Sequence, residues 1–310
     1  MHAATKLGLA DLLSSGPKSA AELAGDSGAH PPSLECLLRA LSTLGVFAIT
    51  SDGRFCNTPL SEVLRRDHPE SQRASALFLP AAFLWRPLGE LYETVRSGEP
   101  AFQRIFGQRF FDYLASHQDD AAVFNTTMTE GIGWTSSALL AAYDFSQFRI
   151  LVDVGGGEGA LLRAILSAAS GTRGVLFDLP QVVSGAPAFL TGDVGARCQV
   201  VGGDFFNSVP EGGDAYLLKG VIHDWPDPDA IKILRNTHRA MGPRGTLLLI
   251  ENVIDAHRPV GMIELLMLVL GGRERTEANF RSLLAAAGFA ITRIVPAEGT
   301  AVIECHLSLA

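Results

Sequence analysis

The stretch ILVDVGGGEG, residues 150–159, places an apolar run directly before four glycines that are interrupted by one acid. The pattern predicts a buried β-strand, a sharp glycine turn and the start of a helix. Glycines at 155, 157 and 159 remove side chains where the backbone turns, so a ligand can approach the peptide groups and the helix N-terminus. The stretch therefore predicts a site for a nucleotide-like cofactor.

A second predicted strand, residues 174–177, ends at Asp178, about twenty residues beyond the glycines, where a carboxylate can accept hydrogen bonds from a ribose. Two cofactors fit this unit. Gly155-x-Gly157-x-x-Ala160 satisfies the dinucleotide pattern, so the glycines leave NAD open. Glu158 would repel a pyrophosphate but is harmless to a ligand without phosphates, which favours S-adenosylmethionine.

Composition excludes several classes of protein. A chain of 310 residues with 47% hydrophobic residues has room for two domains. The net charge of −8 argues against nucleic acid or an anionic membrane as partner. Its four cysteines form no C-x-x-C pair, so we expect no zinc, no metal and no disulfide framework. No apolar run reaches membrane-spanning length and no signal-peptide core is present, so we expect a soluble cytoplasmic protein.

Residues 1–88 are predicted to form a small helical domain. Ser19 can cap one helix, a second helix has a leucine face from Leu34 to Leu41, and Asp52-Gly53 predicts a hairpin turn. Helix, turn, helix and hairpin form the outline of a winged helix. The second helix offers only Arg39 as a cation, so we prefer a packing or dimerisation role over DNA binding.

Residues 89–143 are predicted to be a helical connector rich in aromatic residues. Most of these belong to a core, but a minority could line a pocket for an aromatic substrate. From residue 144 to 310, short apolar strands alternate with helical patterns. Strands of this kind belong inside a parallel sheet that is covered by helices, so the fold class is α/β and Rossmann-like.

Candidate site residues follow the predicted strands, at the sheet edge where α/β proteins bind ligands. Asp204 could accept a hydrogen bond from an adenine amino group, with Phe205 as an apolar face, or it could cap its loop. Lys219 ends the next strand, and His223 and Trp225 follow it.

His223 is the candidate general base. A histidine titrates near neutral pH, and a phenol can lose its proton as a methyl group is transferred. The ring needs an acid at its other nitrogen. Glu251 and Glu274 are available at strand or loop ends, and Asp224 is nearer in sequence. The alternative interpretation is a histidine that only caps its loop.

Five segments in order now carry a resemblance that covers nearly the whole chain. They are LVDVGGGEG (151–159), FDLP (177–180), GDFF (203–206), LKGVIHDW (218–225) and GGRERTE (271–277). The set resembles the caffeate and acetylserotonin type of S-adenosylmethionine-dependent O-methyltransferase, including bacterial members of antibiotic biosynthesis. The resemblance implies a class I methyltransferase fold, S-adenosylmethionine as cofactor, and a homodimer formed by the N-terminal winged-helix region.

Carried over by position, the resemblance implies a role for each site residue. The implied cofactor-binding residues are Gly155, Gly157, Asp178, Asp204, Phe205, Lys219 and Trp225. Asp178 would accept from the ribose, Asp204 and Phe205 would surround the adenine, and Trp225 would lie against its face. His223 would be the base, flanked by Glu251 and Glu274. Asn125 and Met128 match a helix that lines the substrate and the methionine end.

The chain departs from the family pattern in two places. It begins at a segment like the family's LGLADLL helix (residues 7–13), so the preceding helices that intertwine with a partner are not matched. The segment between Glu251 and Glu274 is shorter than in plant members.

The function that follows is methyl transfer to a hydroxyl, expected to be phenolic, on an aromatic small molecule of secondary metabolism. The rivals are a relative with diverged chemistry such as N-methylation or hydroxylation, a non-catalytic partner, a dehydrogenase and a DNA-binding regulator.

Overall fold

The computed structural model describes residues 1–186, 190–255 and 261–308, except for the side chains of residues 130–135. The chain forms two compact units, Met1–Trp85 and Arg86–Ala310. Helix α7 (Ala82–Gly89) contains the boundary between them. The predicted division of the second part at residue 143 stays a prediction.

The first unit consists of short helices and one hairpin. Its elements are α1 (His2–Lys6), α2 (Leu9–Leu12), α3 (Ala20–Ser27), α4 (Pro31–Thr43), β1 (Phe47–Ile49), β2 (Phe55–Asn57), α5 (Pro59–Glu62) and α6 (Arg73–Phe78). Ser19 and Glu22 form a reciprocal capping box at the start of α3. Helix α3 runs to Ser27 and ends at Gly28.

Helix α4 packs its leucine face into the core of the first unit, as predicted. Leu34, Leu38 and Leu41 are buried there. Arg39, the one cation in α4, pairs with Glu35 on the same helix at 3.2 Å. This pairing further reduces the positive charge that α4 could offer to a phosphate backbone.

The second unit begins with helices and continues as an α/β domain. Its helices are α8 (Leu91–Ser97), α9 (Ala101–Phe106), α10 (Phe110–Ser116), α11 (Gln118–Ala142), α12 (Ala160–Ala168), α13 (Pro180–Val183), α14 (Gly192–Ala196), α15 (Asp227–Ala240), α16 (Met262–Leu270) and α17 (Glu277–Ala286). Its strands are β3 (Ile150–Val154), β4 (Arg173–Asp178), β5 (Cys198–Gly202), β6 (Ala215–Lys219), β7 (Thr246–Glu251), β8 (Val253–Ile254), β9 (Arg275–Thr276), β10 (Phe289–Ala297) and β11 (Thr300–Leu307).

Seven of these strands form one sheet in the order β10-β11-β7-β6-β3-β4-β5. The five strands from β7 to β5 are parallel, as the apolar runs predict. Strands β10 and β11 form a hairpin that adds to β7 in the antiparallel direction, so the whole sheet is mixed.

Two layers of helices cover the sheet, and successive residues of its central strands point to opposite layers. Tyr216 and Leu218 of β6 belong to the core on one face, whereas Leu217 belongs to the core on the other. The carboxyl ends of β3, β4, β6 and β7 therefore meet at one edge, where the loops that follow them can build a common site.

Among the described residues, no helix combines the length and the apolar character that a membrane span requires.

Candidate active site

The glycine turn after β3 requires glycine for two different reasons. Gly155 and Gly157 have φ angles of +71° and +61°, in the left-handed region that residues with a side chain avoid. A Cβ at Gly155 would also lie 2.8 Å from the side chain of Val221, whereas a Cβ at Gly157 would meet no atom within 4 Å. The turn therefore packs against Val221 at Gly155, and the space beside Gly157 is open.

Asp178 ties the end of β4 to this turn. Its Oδ2 accepts a hydrogen bond from the Gly157 backbone N–H at 2.8 Å, and its Oδ1 accepts one from Leu179 N–H at 2.6 Å. Burial raises the pKa of the Asp178 carboxyl, and these two hydrogen bonds oppose that rise. Each oxygen keeps acceptor capacity for a hydroxyl of a ligand, so the open turn and Asp178 fit a bound ribose.

Asp204 has the geometry of a loop cap. Its Oδ1 accepts from the Phe206 N–H at 2.8 Å, and its Oδ2 accepts from the Asn207 amide at 3.1 Å. The alternative interpretation of Asp204 as a cap is therefore realised in the structure, and contact with an adenine stays a prediction.

An aromatic cluster lies beside the turn. Trp225 is 8% exposed, and its ring stacks on Phe111 of α10 with centroids 5.3 Å apart. Phe205 approaches Trp225 edge-to-face at 6.0 Å, and Phe206 does so at 4.7 Å. Phe111 was predicted only as an aromatic residue of the connector, and its position against Trp225 depends on the packing of α10, which sequence pattern does not reveal.

Two buried glutamates flank one nitrogen of His223. His223 lies on a short 3₁₀ turn after β6. Its Nδ1 is 3.2 Å from Glu251 Oε2 and 3.3 Å from Glu274 Oε1. The structure thus brings together the three residues that were expected to form the base and its supporting acids, and the short segment between Glu251 and Glu274 does not prevent it.

Asp224 lies near the other ring nitrogen, with Oδ1 3.6 Å from His223 Nε2, beyond hydrogen-bonding distance. Burial by itself lowers the pKa of His223, but the carboxylates of Glu251, Asp224 and Glu274 outweigh it and raise that pKa to about 10. Burial raises the pKa of Asp224 to about 7 and also raises that of Glu251. The cluster therefore retains protons at neutral pH that the isolated groups would release.

A cavity of about 140 Å³ opens beside this cluster, lined by Lys219, His223 and Glu251 among others. Burial lowers the pKa of Lys219, and the charges of Glu251, Asp153 and Asp224 oppose that change. The cation at the end of β6 thus balances part of the negative charge of the surrounding acids.

Arg275 is a site residue to which the sequence assigned no role. It is 1% exposed, and its guanidinium donates to the carbonyl of Ile222 at 2.7 Å and to that of Trp225 at 2.8 Å. The same group pairs with Asp227 at 2.7 Å. One side chain therefore holds both ends of the turn that carries His223. Its position within the GGRERTE segment was the available signal.

The backbone next to Arg275 also contacts the turn that carries His223. Arg273 N–H donates to the carbonyl of His223 at 2.7 Å. A Cβ at Gly272 would collide with that carbonyl oxygen, so glycine is needed for this close approach.

Asp153 is a buried acid under the glycine turn. It is 1% exposed, and its Oδ2 has no hydrogen-bond partner among the groups that the structure describes. Burial, reinforced by the charge of Asp178 and opposed by Lys219, raises the pKa of Asp153 to about 7.

Helix α11 reaches the glycine turn through one side-chain contact. Thr129 Oγ1 donates to Glu158 Oε2 at 3.2 Å. Asn125 lies four residues before Thr129 and so on the same helix face, while Met128 is exposed. The contact places this face of α11 near the cofactor turn, and the substrate-lining roles of Asn125 and Met128 stay predictions.

In the described ranges, no group of three or more histidine, cysteine, aspartate or glutamate side chains is arranged to hold a metal ion.

Comparison with known families identifies both parts of the chain. Residues 88–290 match the model of the O-methyltransferase domain, and residues 1–67 match the O-methyltransferase dimerisation domain. The chain belongs to the O-methyltransferase family. The resemblance inferred from the five segments is therefore confirmed, as are the predicted fold class and the prediction of a methyltransferase.

Named relatives cover nearly the whole chain. Phenazine O-methyltransferase PhzM of Lysobacter antibioticus is 42% identical over 99% of this chain and 91% of its own length. 8-Amino-8-demethylriboflavin N,N-dimethyltransferase of Streptomyces davaonensis is 38% identical over 99% of this chain and 90% of its own length.

A solved relative from neocarzinostatin biosynthesis, NcsB1, has S-adenosylmethionine and 2-hydroxy-5-methyl naphthoic acid bound. It is 35% identical, with a TM-score of 0.88 over 99% of this chain and 94% of that one. The S-adenosylmethionine bound to NcsB1 agrees with the cofactor that was predicted for this family.

Proposed function

We propose that this enzyme methylates a phenolic hydroxyl of a polycyclic or substituted aromatic small molecule, with His223 as the general base. The observation that carries the proposal is the pair of buried carboxylates at His223 Nδ1, because it leaves Nε2 as the ring nitrogen that can serve an acceptor. Relatives named for phenazine and naphthoic acid ligands support an aromatic acceptor.

S-Adenosylmethionine, when bound, supplies an electrophilic methyl group on a sulfonium sulfur. Asp178 and the glycine turn would hold the ribose, and the Phe205 and Trp225 rings would face the adenine. Alignment of two reactants in this way contributes on the order of 7 kcal/mol or more to lowering a barrier.

His223 would remove the proton of the acceptor hydroxyl. The oxygen lone pair forms the new bond to carbon, the carbon–sulfur bond breaks with its electrons passing to sulfur, and the proton moves to Nε2. Since the surrounding carboxylates hold a proton on His223, the base is the minority form at neutral pH, and the reaction should accelerate as pH rises.

N-methylation is the second candidate, because a relative of 38% identity is named as an N,N-dimethyltransferase. An amine acceptor needs its own proton removed after attack rather than before it. The base cluster suits a hydroxyl acceptor better, since a phenol is a weak nucleophile until it is deprotonated.

We further propose that the protein is a homodimer, because residues 1–67 match a dimerisation domain. Light scattering coupled to size exclusion would test this by mass.

The experiment that tests the proposed function starts with calorimetric titration of S-adenosylmethionine, S-adenosylhomocysteine and NADH. We expect the first two to bind and the third not to bind. Pairs of aromatic acceptors that differ only by hydroxyl or amino at one ring position would then be incubated with the enzyme and S-adenosylmethionine. Mass spectrometry should show one added methyl group on the hydroxyl compounds. Methylation of only the amino compounds would overturn the O-methyl assignment, and binding of none of the titrants would overturn the cofactor.

A further inference from the structure

A second cavity, of about 360 Å³, lies beside helix α15 and shares no lining residue with the cavity at His223. Three cations of α15, Lys232, Arg235 and Arg239, line it. No carboxylate is among its lining residues in the described part of the chain. Phe206 and Asn207, which follow Asp204 in the same loop, also line the cavity.

Each of the three cations is exposed and contacts an uncharged group. Lys232 Nζ lies 5.4 Å from the ring centroid of Phe206. Arg235 donates to the carbonyl of Ala286 at 3.0 Å. Arg239 donates to Asn236 Oδ1 at 2.8 Å. Within the described residues none of the three forms an ion pair, so no carboxylate neutralises their charges.

This arrangement is unusual for a chain with a net charge of −8. Two other arginines of the same unit do pair with acids, Arg197 with Asp193 and Arg281 with Glu277. Three like charges at positions i, i+3 and i+7 of one helix repel each other, and a bound anion would relieve that repulsion.

We propose that this cavity binds the phosphate group of a small molecule through Lys232, Arg235 and Arg239. Guanidinium groups match phosphate oxygens with two parallel hydrogen bonds, and a lysine adds a point charge. Because each cation already contacts a neutral group, ordering it around an anion costs less side-chain entropy than ordering a side chain without contacts. The volume lies in the range of small-molecule sites.

The cavity also has a link to the predicted adenine loop. The buried Asn236 donates its amide to the carbonyl of Phe205 at 2.8 Å while its oxygen accepts from Arg239. A phosphate bound to Arg239 would therefore lie next to Asn236, the residue that holds the backbone of Phe205.

Calorimetric titration with pyrophosphate, at ionic strength held constant with chloride, tests the proposal. We expect saturable binding of one pyrophosphate per chain. The double variant Arg235→Gln with Arg239→Gln should weaken it by about tenfold or more, because it removes both guanidinium groups that would bind the phosphate oxygens. Lys232→Gln, which removes no hydrogen bond to the backbone, should weaken it as well.

Arg244→Gln is the matched control, since Arg244 is an exposed cation that does not line the cavity. It should leave pyrophosphate binding unchanged. Equal weakening by Arg244→Gln, or the absence of saturable binding to the unmodified protein, would show a solvated basic surface and overturn the proposal. Loss of pyrophosphate binding when the protein is saturated with S-adenosylhomocysteine would place the anion in the cofactor site and also overturn it.

Discussion

Glu251 lies against the ring of His223 and accepts a hydrogen bond from its backbone turn. One carboxylate oxygen lies 3.2 Å from His223 Nδ1, while the other accepts the N–H of Ile222, the preceding residue, at 2.8 Å. Because Glu251 is the last residue of the buried strand β7 and is 2% exposed, its position is set by the sheet. The orientation of His223 is therefore determined by the core of the fold and not by a flexible loop.

Replacing the proposed base should separate catalysis from cofactor binding. In His223→Gln the ring that accepts the proton is lost, so we expect kcat to fall by about a hundredfold or more. The affinity for S-adenosylhomocysteine, measured by calorimetry, should stay unchanged. The exposed His306 provides the control, and His306→Gln should retain normal turnover. Near-normal turnover of His223→Gln would reduce His223 to a positioning role.

Removing one negative charge beside His223 should move the pH profile. The carboxylates raise the pKa of His223 to about 10 by stabilising the imidazolium, so kcat/KM should increase with pH towards that value. Glu251→Gln destabilises the imidazolium and lowers the pKa, which should shift the ascending limb to lower pH by about one unit or more. Glu277→Gln, at an exposed ion pair, should leave the limb in place. An unmoved limb in Glu251→Gln would mean that the limb reports another group.

Asp178 should contribute to cofactor binding and not to chemistry. Asp178→Asn removes the charge and leaves one amide oxygen for the two N–H groups of Gly157 and Leu179. We expect the Kd for S-adenosylhomocysteine to rise by about tenfold or more, as for loss of one charged hydrogen bond. Asp193→Asn, at a side chain that is 79% exposed, is the control. Equal affinities of the two variants would contradict the ribose role.

The elements of the second unit follow closely from local sequence pattern. Strand β7 covers the whole apolar run TLLLIE, residues 246–251. Helix α15 begins at Asp227, and Pro228 lies in its first turn, where a proline fits and does not end a helix. The order of strands along the sheet also places Asp178, Lys219 and Glu251 at one edge, as expected.

The contacts that complete the site were not predictable in the same way. The hydrogen bond from Gly157 to Asp178 and the bonds of Arg275 to the carbonyls of Ile222 and Trp225 join segments that are far apart in the chain. Periodicity reports which face of an element is buried, but it does not report which polar group meets another across a loop. For Asp204 the sequence left two roles open for the same reason.

Asp153 should make stability depend on pH. The pKa of its carboxyl is 3.8 in the unfolded chain and about 7 in the folded protein, so the folded state binds the extra proton between these values. Stability from this group is therefore present at low pH and lost as pH rises through about 7. Asp153→Asn carries no charge at any pH. At pH 8 the free energy of unfolding of Asp153→Asn should exceed that of the unmodified protein by at most about 4 kcal/mol. Near pH 4 the two free energies of unfolding should be similar.

Urea denaturation of both proteins at the two pH values measures this difference. Asp153→Asn also removes a negative charge near Lys219, which reduces the gain in the free energy of unfolding. The test therefore depends on the sign of the difference between the two proteins and on how that difference changes with pH. Asp119→Asn, at an exposed position, should show no such dependence. An Asp153→Asn variant that is less stable at pH 8 would show that the ionised carboxylate is compensated in the folded state.

Arg275 should act as a positioning residue for His223. A lysine can pair with Asp227 but cannot also donate to the carbonyls of Ile222 and Trp225 in the fork geometry of arginine. Because a small displacement of a reacting group can cost up to about a hundredfold in rate, we expect Arg275→Lys to lower kcat by about tenfold or more. KM for S-adenosylmethionine should rise by less than kcat falls, since the glycine turn and Asp178 are untouched and Trp225 loses only a contact to its backbone carbonyl.

Two further variants separate positioning from general destabilisation. Arg281→Lys changes an exposed arginine of the adjacent helix and should leave kcat normal. Asp227→Asn removes the ion pair while the two carbonyl bonds of Arg275 remain, and Asp227 is half exposed, so it should keep most of the turnover. If Arg275→Lys lowers kcat and cofactor affinity in equal proportion, or if Asp227→Asn is as slow as Arg275→Lys, the carbonyl bonds are not what positions His223.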